Sequence, residues 1–435
     1  MSVRRYAVPV LLAVLLVVAG CTSPSGTDTT ASVSDTSASD TAITTASVPP
    51  PEERQQSLDP WGLNASLAFD RVEHLLDTDG EQPYVSTNAD RLRRSVGAID
   101  SELSFLAVFG IDESEEQRPT AFVNSRTTVV IDPNISATTA EAVLAHEFVH
   151  TMQRQNVGWG PMFENTSLYR EYSATRYSLE LLTIHSALRE GSAEYVQSAY
   201  VDQYIEADDY PSTSEAYRQD RQSEYHNSTG YEQYQLAQYH HGLSYFESRI
   251  DDSASITDVF ASAPLTSEQL LHRETPASEP RLPLTVTVGG NESLERASES
   301  VNRGPAGEYV NQGPVGELVT RVLLDQELDR ERAVDAAAGW GNDTLVNVDT
   351  NETDGFVWVT RWDTAEDADQ FEAAIEDIGA ERPDSIEHAN RTIPSEFTTE
   401  RPADDIVVVY IGPESLSSTH PVDTGGRSVT IRPPE

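Results

Sequence analysis

His146-Glu147-Phe148-Val149-His150 is the stretch that decides how this chain is read. Residues four apart share one face of an α-helix, so both imidazoles can reach a single ion. Glu147 then stands beside that ion, placed to take a proton from a metal-bound water. The surrounding sequence specifies the helix. Thr127-Thr128-Val129-Val130-Ile131 is β-branched and predicts a strand, stopped by Asp132-Pro133-Asn134. Thr138 followed three residues later by Glu141 predicts a capping box and a helix start. Apolar Ala142, Val143, Ala145, Phe148, Val149 and Met152 carry the helix to about Gln155, with Gly158 as its stop. Both histidines therefore fall mid-helix, where their spacing is rigid.

A catalytic zinc takes three protein ligands and leaves a fourth position open. Glu190 is the best candidate for the third. It lies in Leu188-Arg189-Glu190-Gly191-Ser192-Ala193-Glu194-Tyr195, on a second helix expected to start near Ser178. Glu194, one turn further on the same face, is expected to hydrogen-bond a ligand histidine and fix its tautomer. His185 competes as third ligand, but it precedes Glu190 by five residues and so points elsewhere on the helix. Its other reading is a helix histidine with a satisfied hydrogen bond.

At these residues the chain resembles the gluzincin metallopeptidases, the thermolysin-like and aminopeptidase-like zincins. The resemblance rests on H-E-x-x-H followed on a later helix by E-G-x-A and a further acid. It implies His146, His150 and Glu190 as ligands of Zn2+, Glu147 as general base and Glu194 behind a ligand. Residues Gly158 to Tyr172 would be a loop inserted between the two helices. A resemblance of longer reach is to haloarchaeal surface lipoproteins. It is carried by His146 to Gln155, by Arg189 to Tyr195, by Tyr239-His240-His241-Gly242, by Leu265 to His272, by Ala338 to Asp343 and by Trp362-Asp363. It supports the same fold and site and says little of what is cleaved.

Composition places the protein in its surroundings. Against 72 acidic residues stand 29 basic ones, every one an arginine, for a formal charge of −43. Such a surface fits molar salt, where the Debye length is about 3 Å and repulsion is screened. A compact fold is expected to fail at low ionic strength. Nucleic acid is excluded as a partner, because its phosphates would be repelled. A disordered acidic tail is excluded too, since the acids are spread along a chain that is 38% hydrophobic.

Arg4-Arg5 precede an apolar run from Ala7 to Ala19 that ends in Val18-Ala19-Gly20-Cys21. The run reads as a signal peptide of Tat or Sec type, and its end resembles a lipobox. Cys21, the only cysteine, would carry the lipid that tethers the protein to the outer face of the cell membrane. Residues 22–58 are rich in Ser, Thr and Pro and read as a stalk. Eight N-x-Ser/Thr sequons (Asn64, Asn134, Asn165, Asn227, Asn291, Asn342, Asn351 and Asn390) offer glycan sites.

The expected fold class is α+β. A zincin-like core over residues 59–284 (a small sheet plus zinc-binding helices) precedes a smaller α+β region over 285–435. The Gly-, Ser- and Glu-rich segment from Thr285 to Arg303 is the expected boundary. In the second region, Phe356-Val357-Trp358-Val359-Thr360-Arg361-Trp362 alternates with Phe356, Trp358 and Trp362 on one face. Ala365 to Ile378 predicts a helix and Ile406 to Ile411 a buried strand. Tyr239, ahead of His240 and His241, is the expected donor to an oxyanion, since its neutral hydroxyl donates at any relevant pH. The function expected is lipid-anchored, extracellular, zinc-dependent hydrolysis of peptide or protein substrates by a Glu147-activated, zinc-bound water. A non-catalytic surface binding or adhesion protein that keeps a zincin fold is the alternative.

Overall fold

A computed structural model of the chain describes residues 57–58, 61–88, 103–111, 120–125, 127–155, 178–206, 210–211, 213–250, 256–289, 292–293, 308–349, 354–388 and 391–433. The signal peptide, Cys21, nearly all of the stalk, the Gly158 to Tyr172 loop and the sequons at Asn165, Asn291, Asn351 and Asn390 lie outside them. Among the described residues no helix is long and apolar enough to cross a membrane. The class is α+β, as expected.

A short pair, β1 (Ser57–Leu58) and β2 (Leu63–Asn64), leads into α1 (Ala65–Leu76), whose first turn Asn64 caps. After β3 (Tyr84–Ser86), helix α2 (Leu103–Val108) and β4 (Ala121–Ser125) comes β5 (Thr128–Ile131), the strand expected from its β-branched run. It sits in the middle of a three-stranded sheet, parallel to β3 and antiparallel to β4, and all four of its residues are buried. Asn134 N–H donates to Asp132 Oδ1 at 2.9 Å and turns the chain out of the strand.

The helix that carries both histidines is α3 (Ala137–Gln155); it reaches the expected Gln155, and Gly158, its expected stop, lies outside the described residues. Its start differs. Ser136 rather than Thr138 caps it, accepting from Thr139 N–H at 3.1 Å. A serine in that place satisfies a first-turn amide that would otherwise be orphaned. Glu141 is thus free of any cap and accepts instead from Arg71 at 2.7 Å and from the Tyr200 hydroxyl at 2.8 Å, which ties α3 to α1 and to the next helix.

That next helix, α4 (Leu179–Tyr204), runs 26 residues from the expected cap at Ser178. It is buried along nearly its whole length. Helices α5 (Ser214–Asn227) and α6 (Gly230–Arg249) fold back on it, followed by the short α7 (Ile256–Ala261) and α8 (Ser267–Leu271). The α4–α6 crossing is made by glycine on glycine. A Cβ on Gly242 would lie 2.1 Å from the Ala187 carbonyl oxygen, and one on Gly191 would lie 2.2 Å from the Gly242 carbonyl carbon. Backbone meets backbone there, with no room for a side chain. This contact sets Tyr239 of α6 beside Glu190 of α4.

The strands that follow are β6 (Thr285–Val288), β7 (Glu292–Ser293), β8 (Glu308–Gly313), β9 (Trp340–Asp349), β10 (Asp354–Trp362), β11 (Ser385–His388), β12 (Arg391–Pro394), β13 (Glu396–Ala403) and β14 (Ile406–Gly412). Five of them build an antiparallel sheet in the order β13-β14-β10-β9-β8. Phe356, Trp358 and Trp362 of β10 do share a face, packed under α9 (Glu317–Leu324), α10 (Arg330–Ala337) and α11 (Ala365–Glu381). Val357 and Val359 fill the opposite face against Val286, Val288, Val429 and Ile431. Thr285–Val288, expected in a connecting segment, is therefore a strand (β6), paired in parallel with Ser428–Ile431. The sheet's helical face also takes Phe105, Phe109, Tyr231, Tyr234 and Ala237 from the N-terminal helices. One apolar cluster thus spans residue 284.

Candidate metal centre

Helices α3 and α4 bring three ligand atoms together. His146 Nε2 and His150 Nε2 are 3.0 Å apart, and Glu190 Oε2 lies 3.3 Å from the first and 2.9 Å from the second. All three side chains are buried. Tetrahedral ligation with bonds of about 2.0–2.2 Å needs ligand atoms about 3.3–3.6 Å apart. The triangle is a few tenths of an ångström tighter than that, so the donor set fits a metal ion without rearrangement of the helices.

What surrounds the triangle fixes its orientation. His150 Nδ1 donates to Gln153 Oε1 at 2.8 Å. The Gln153 amide cannot be turned about, because its Nε2 donates to the Arg189 carbonyl at 3.1 Å and to Ser192 Oγ at 3.0 Å. The His150 Nε2 lone pair is thereby aimed at the triangle. His146 Nδ1 donates in the same way to Gln197 Oε1 at 3.1 Å. Glu190 is split between two tasks. Its Oε1 accepts from Arg189 Nε at 2.9 Å and from the other end of the same guanidinium, while Oε2 faces the histidines.

The electrostatics follow from burial and from these neighbours. Burial pushes the His150 ring down to about 4, which keeps it neutral, the state a ligand needs. Burial pushes the His146 ring the same way, but the carboxylates of Glu190, Glu194 and Glu147 outweigh it and lift His146 to about 9. For Glu190 burial acts upward, yet His150 and Arg189 hold it well below the usual carboxylate range. The carboxylates that lift His146 favour a positive charge in the triangle, which a metal cation would supply.

Glu147 differs from all of these. It is 3% exposed, and its Oε2 has no hydrogen-bond partner. Burial lifts its carboxyl to about 8, with His146 pulling the other way. A buried, unpartnered carboxylate beside a ligand cluster is the position of a proton acceptor.

The other expected residues separate. Glu194 stands beside His146, but its Oε1 is 3.6 Å from Nδ1, and its Oε2 accepts from the Tyr217 hydroxyl at 2.5 Å. The hydrogen bond expected from Glu194 is made by Gln197. Tyr239 stacks on His146 with ring centroids 6.2 Å apart and planes at 21°. His185 is outside the cluster, and burial depresses its ring to about 3. His240 and His241 turn away from the metal centre and pack around Tyr225, at 4.9 and 5.4 Å between centroids. Gln153, Gln197 and Arg189 were missed in the sequence. Helical spacing pointed to two of them: Gln153 lies three residues after His150 and Gln197 seven after Glu190, whereas Arg189 directly precedes Glu190 and neighbours on a helix share no face.

A family model described as a domain of unknown function (DUF8575) matches residues 305–420, which covers the sheet region and excludes the ligand cluster. No curated protein and no solved structure matches the chain.

Proposed function

We propose that this chain is a zinc-dependent peptidase of the zincin class, held by lipid on Cys21 at the outer face of the cell membrane. One observation carries the reading. Two neutral-capable imidazoles and one carboxylate oxygen converge within 3.3 Å, and a buried carboxylate oxygen of Glu147 stands beside them with no partner. Two histidines and one carboxylate suit zinc, and a three-ligand set leaves a position for substrate, whereas a structural site closes with a fourth ligand. The core of small sheet, ligand helix and second ligand helix is in keeping with a zincin.

When bound, zinc supplies a Lewis acid that polarises the scissile carbonyl. The chain's own residues do the rest. Glu147 takes a proton from the attacking water and returns it to the leaving amine. Burial favours its protonated form, which lowers the cost of taking up that proton. Gln153 and Gln197 keep both Nε2 lone pairs on target, and Arg189 keeps Glu190 to one ligating oxygen. Tyr239, stacked against His146, donates its hydroxyl to the oxyanion.

The test is cleavage of a mixed fluorogenic peptide library in molar salt by the zinc-loaded protein, with and without chelator. Chelator is expected to stop cleavage, and Glu147→Gln to slow it by about 10²–10⁴-fold with zinc content unchanged. Full activity in Glu147→Gln would overturn the assignment. Absence of cleavage by the zinc-loaded wild type would favour the binding-protein alternative.

A further inference from the structure

A second group of ligand atoms lies far along the chain from the first. Glu268 of α8, Glu279 in the connection to the sheet, and Asp363 just after β10 each place a carboxylate oxygen within 4.8 Å of the other two. They come from both sides of the junction between helices and sheet. Glu268 is the telling member. It is 4% exposed, and its side chain has no hydrogen-bond or ion-pair partner among the described residues. The charges that act on it most strongly are acidic: Glu317, Asp363, Glu279 and Glu180.

A buried carboxylate without a partner is costly, and three converging ones are more so. The cationic side chains beside Glu317 are already engaged with it. His272 Nε2 lies 3.1 Å from both oxygens of Glu317, and Arg321 Nε donates to Glu317 at 3.0 Å. Neither forms an ion pair with Glu268, Glu279 or Asp363. Among the described residues the cluster offers oxygen ligands alone. The three residues belong to a short helix, a loop and a strand end, not to one rigid frame. Asp363 faces solvent, from which water can complete a coordination sphere.

We propose that Glu268, Glu279 and Asp363 bind a hard divalent cation of the calcium type, which clasps the helical half of the molecule to the sheet. All-oxygen, carboxylate-rich and irregular coordination suits calcium. Magnesium demands near-octahedral geometry and retains its waters, and zinc prefers nitrogen and sulfur. The cation neutralises a charge cluster that otherwise opposes closure of the junction. It explains why an acid stands at position 268 inside the protein, where a leucine would pack without penalty. The site shares no residue with the histidine cluster and does not depend on its function.

The experiment is calorimetric titration of calcium chloride into the full-length, zinc-loaded protein in molar potassium chloride, after EGTA treatment and restoration of zinc. One calcium per chain is expected, with a rise in the thermal midpoint. Glu268→Gln and Asp363→Asn should each weaken binding at least tenfold while zinc content stays the same. Asp363 is exposed, so its variant decides the matter if Glu268→Gln does not fold. The absence of saturable binding up to millimolar calcium would overturn the proposal. Wild-type affinity in both variants would do so equally, because the ion would then sit elsewhere.

Discussion

The two ligand clusters of this molecule differ in what stands behind them. Each atom of the His146–His150–Glu190 triangle is aimed by a second contact: Gln197 behind His146, Gln153 behind His150, Arg189 behind Glu190. Glu268, Glu279 and Asp363 have no such support among the described residues. The first set stands on two helices and is held by hydrogen bonds within the protein. The second is gathered from three segments and gains order from whatever it binds. Preorganisation of this kind is what the proposed catalysis requires and what the proposed clasp does not.

That contrast can be broken most directly at His150. His150→Ala should remove stoichiometric zinc and all peptidase activity yet leave calcium binding at the acidic cluster intact. Elemental analysis of the purified variant checks the first half and titration the second. Retention of zinc in the variant would end the ligand assignment.

A smaller effect is expected behind the ligands. Gln197→Leu removes the acceptor that holds the His146 tautomer, and Gln153→Leu does the same for His150. Each should cost about 10–100-fold in zinc affinity or activity. Glu194→Gln should cost less than either, because Glu194 lies 3.6 Å from the ring and its hydrogen bond goes to Tyr217. Competition of each variant with a zinc chelator of known affinity ranks them. A larger loss in Glu194→Gln than in Gln197→Leu would reverse the assignment.

The smallest effect concerns the floor beneath the acidic cluster. Glu180 accepts from Ser267 N–H at 2.6 Å through one oxygen and leaves the other unpartnered. Burial lifts its pKa from 4.5 to about 8. A carboxyl whose folded pKa is raised gives stability that is fully present below its unfolded pKa. That stability is lost as the pH climbs through the folded value. The wild-type melting temperature should therefore fall by a few degrees between pH 5 and pH 9, in molar salt without divalent ions, and Glu180→Gln should flatten part of that fall. Parallel melting curves for the two proteins would show that Glu180 is ionised throughout.

Much of the site was legible in the chain because its chemistry is local. Both histidines and Glu147 sit within five residues of one helix, and the helix periodicity fixes their relative directions. Glu190 followed from the need for a third ligand on a face shared with another acid. The partners behind the ligands were harder to find, because a glutamine carries no chemical signature. Its role exists only when a neighbouring ring lies about 3 Å away. The start of α3 was misplaced for a related reason. Thr138 and Glu141 match a capping box in sequence, but Arg71 and Tyr200, distant in the chain, claim the Glu141 carboxylate.

By itself the sequence determined the elements whose cause is periodic or compositional. These are the ligand helix, the buried β5 strand, the Ser178 cap, the aromatic face of β10 and the acidic surface without lysine. Only the tertiary structure decided which residues meet. The Gly191–Gly242 crossing puts Tyr239 on His146, while His240 and His241, its immediate neighbours, go to Tyr225. The acidic cluster was invisible in the chain, since 72 carboxylates of the same kind are spread along it. Burial separates Glu268 from the surface acids: a carboxylate largely shielded from water without a counter-charge acquires a free energy that its solvated copies do not have.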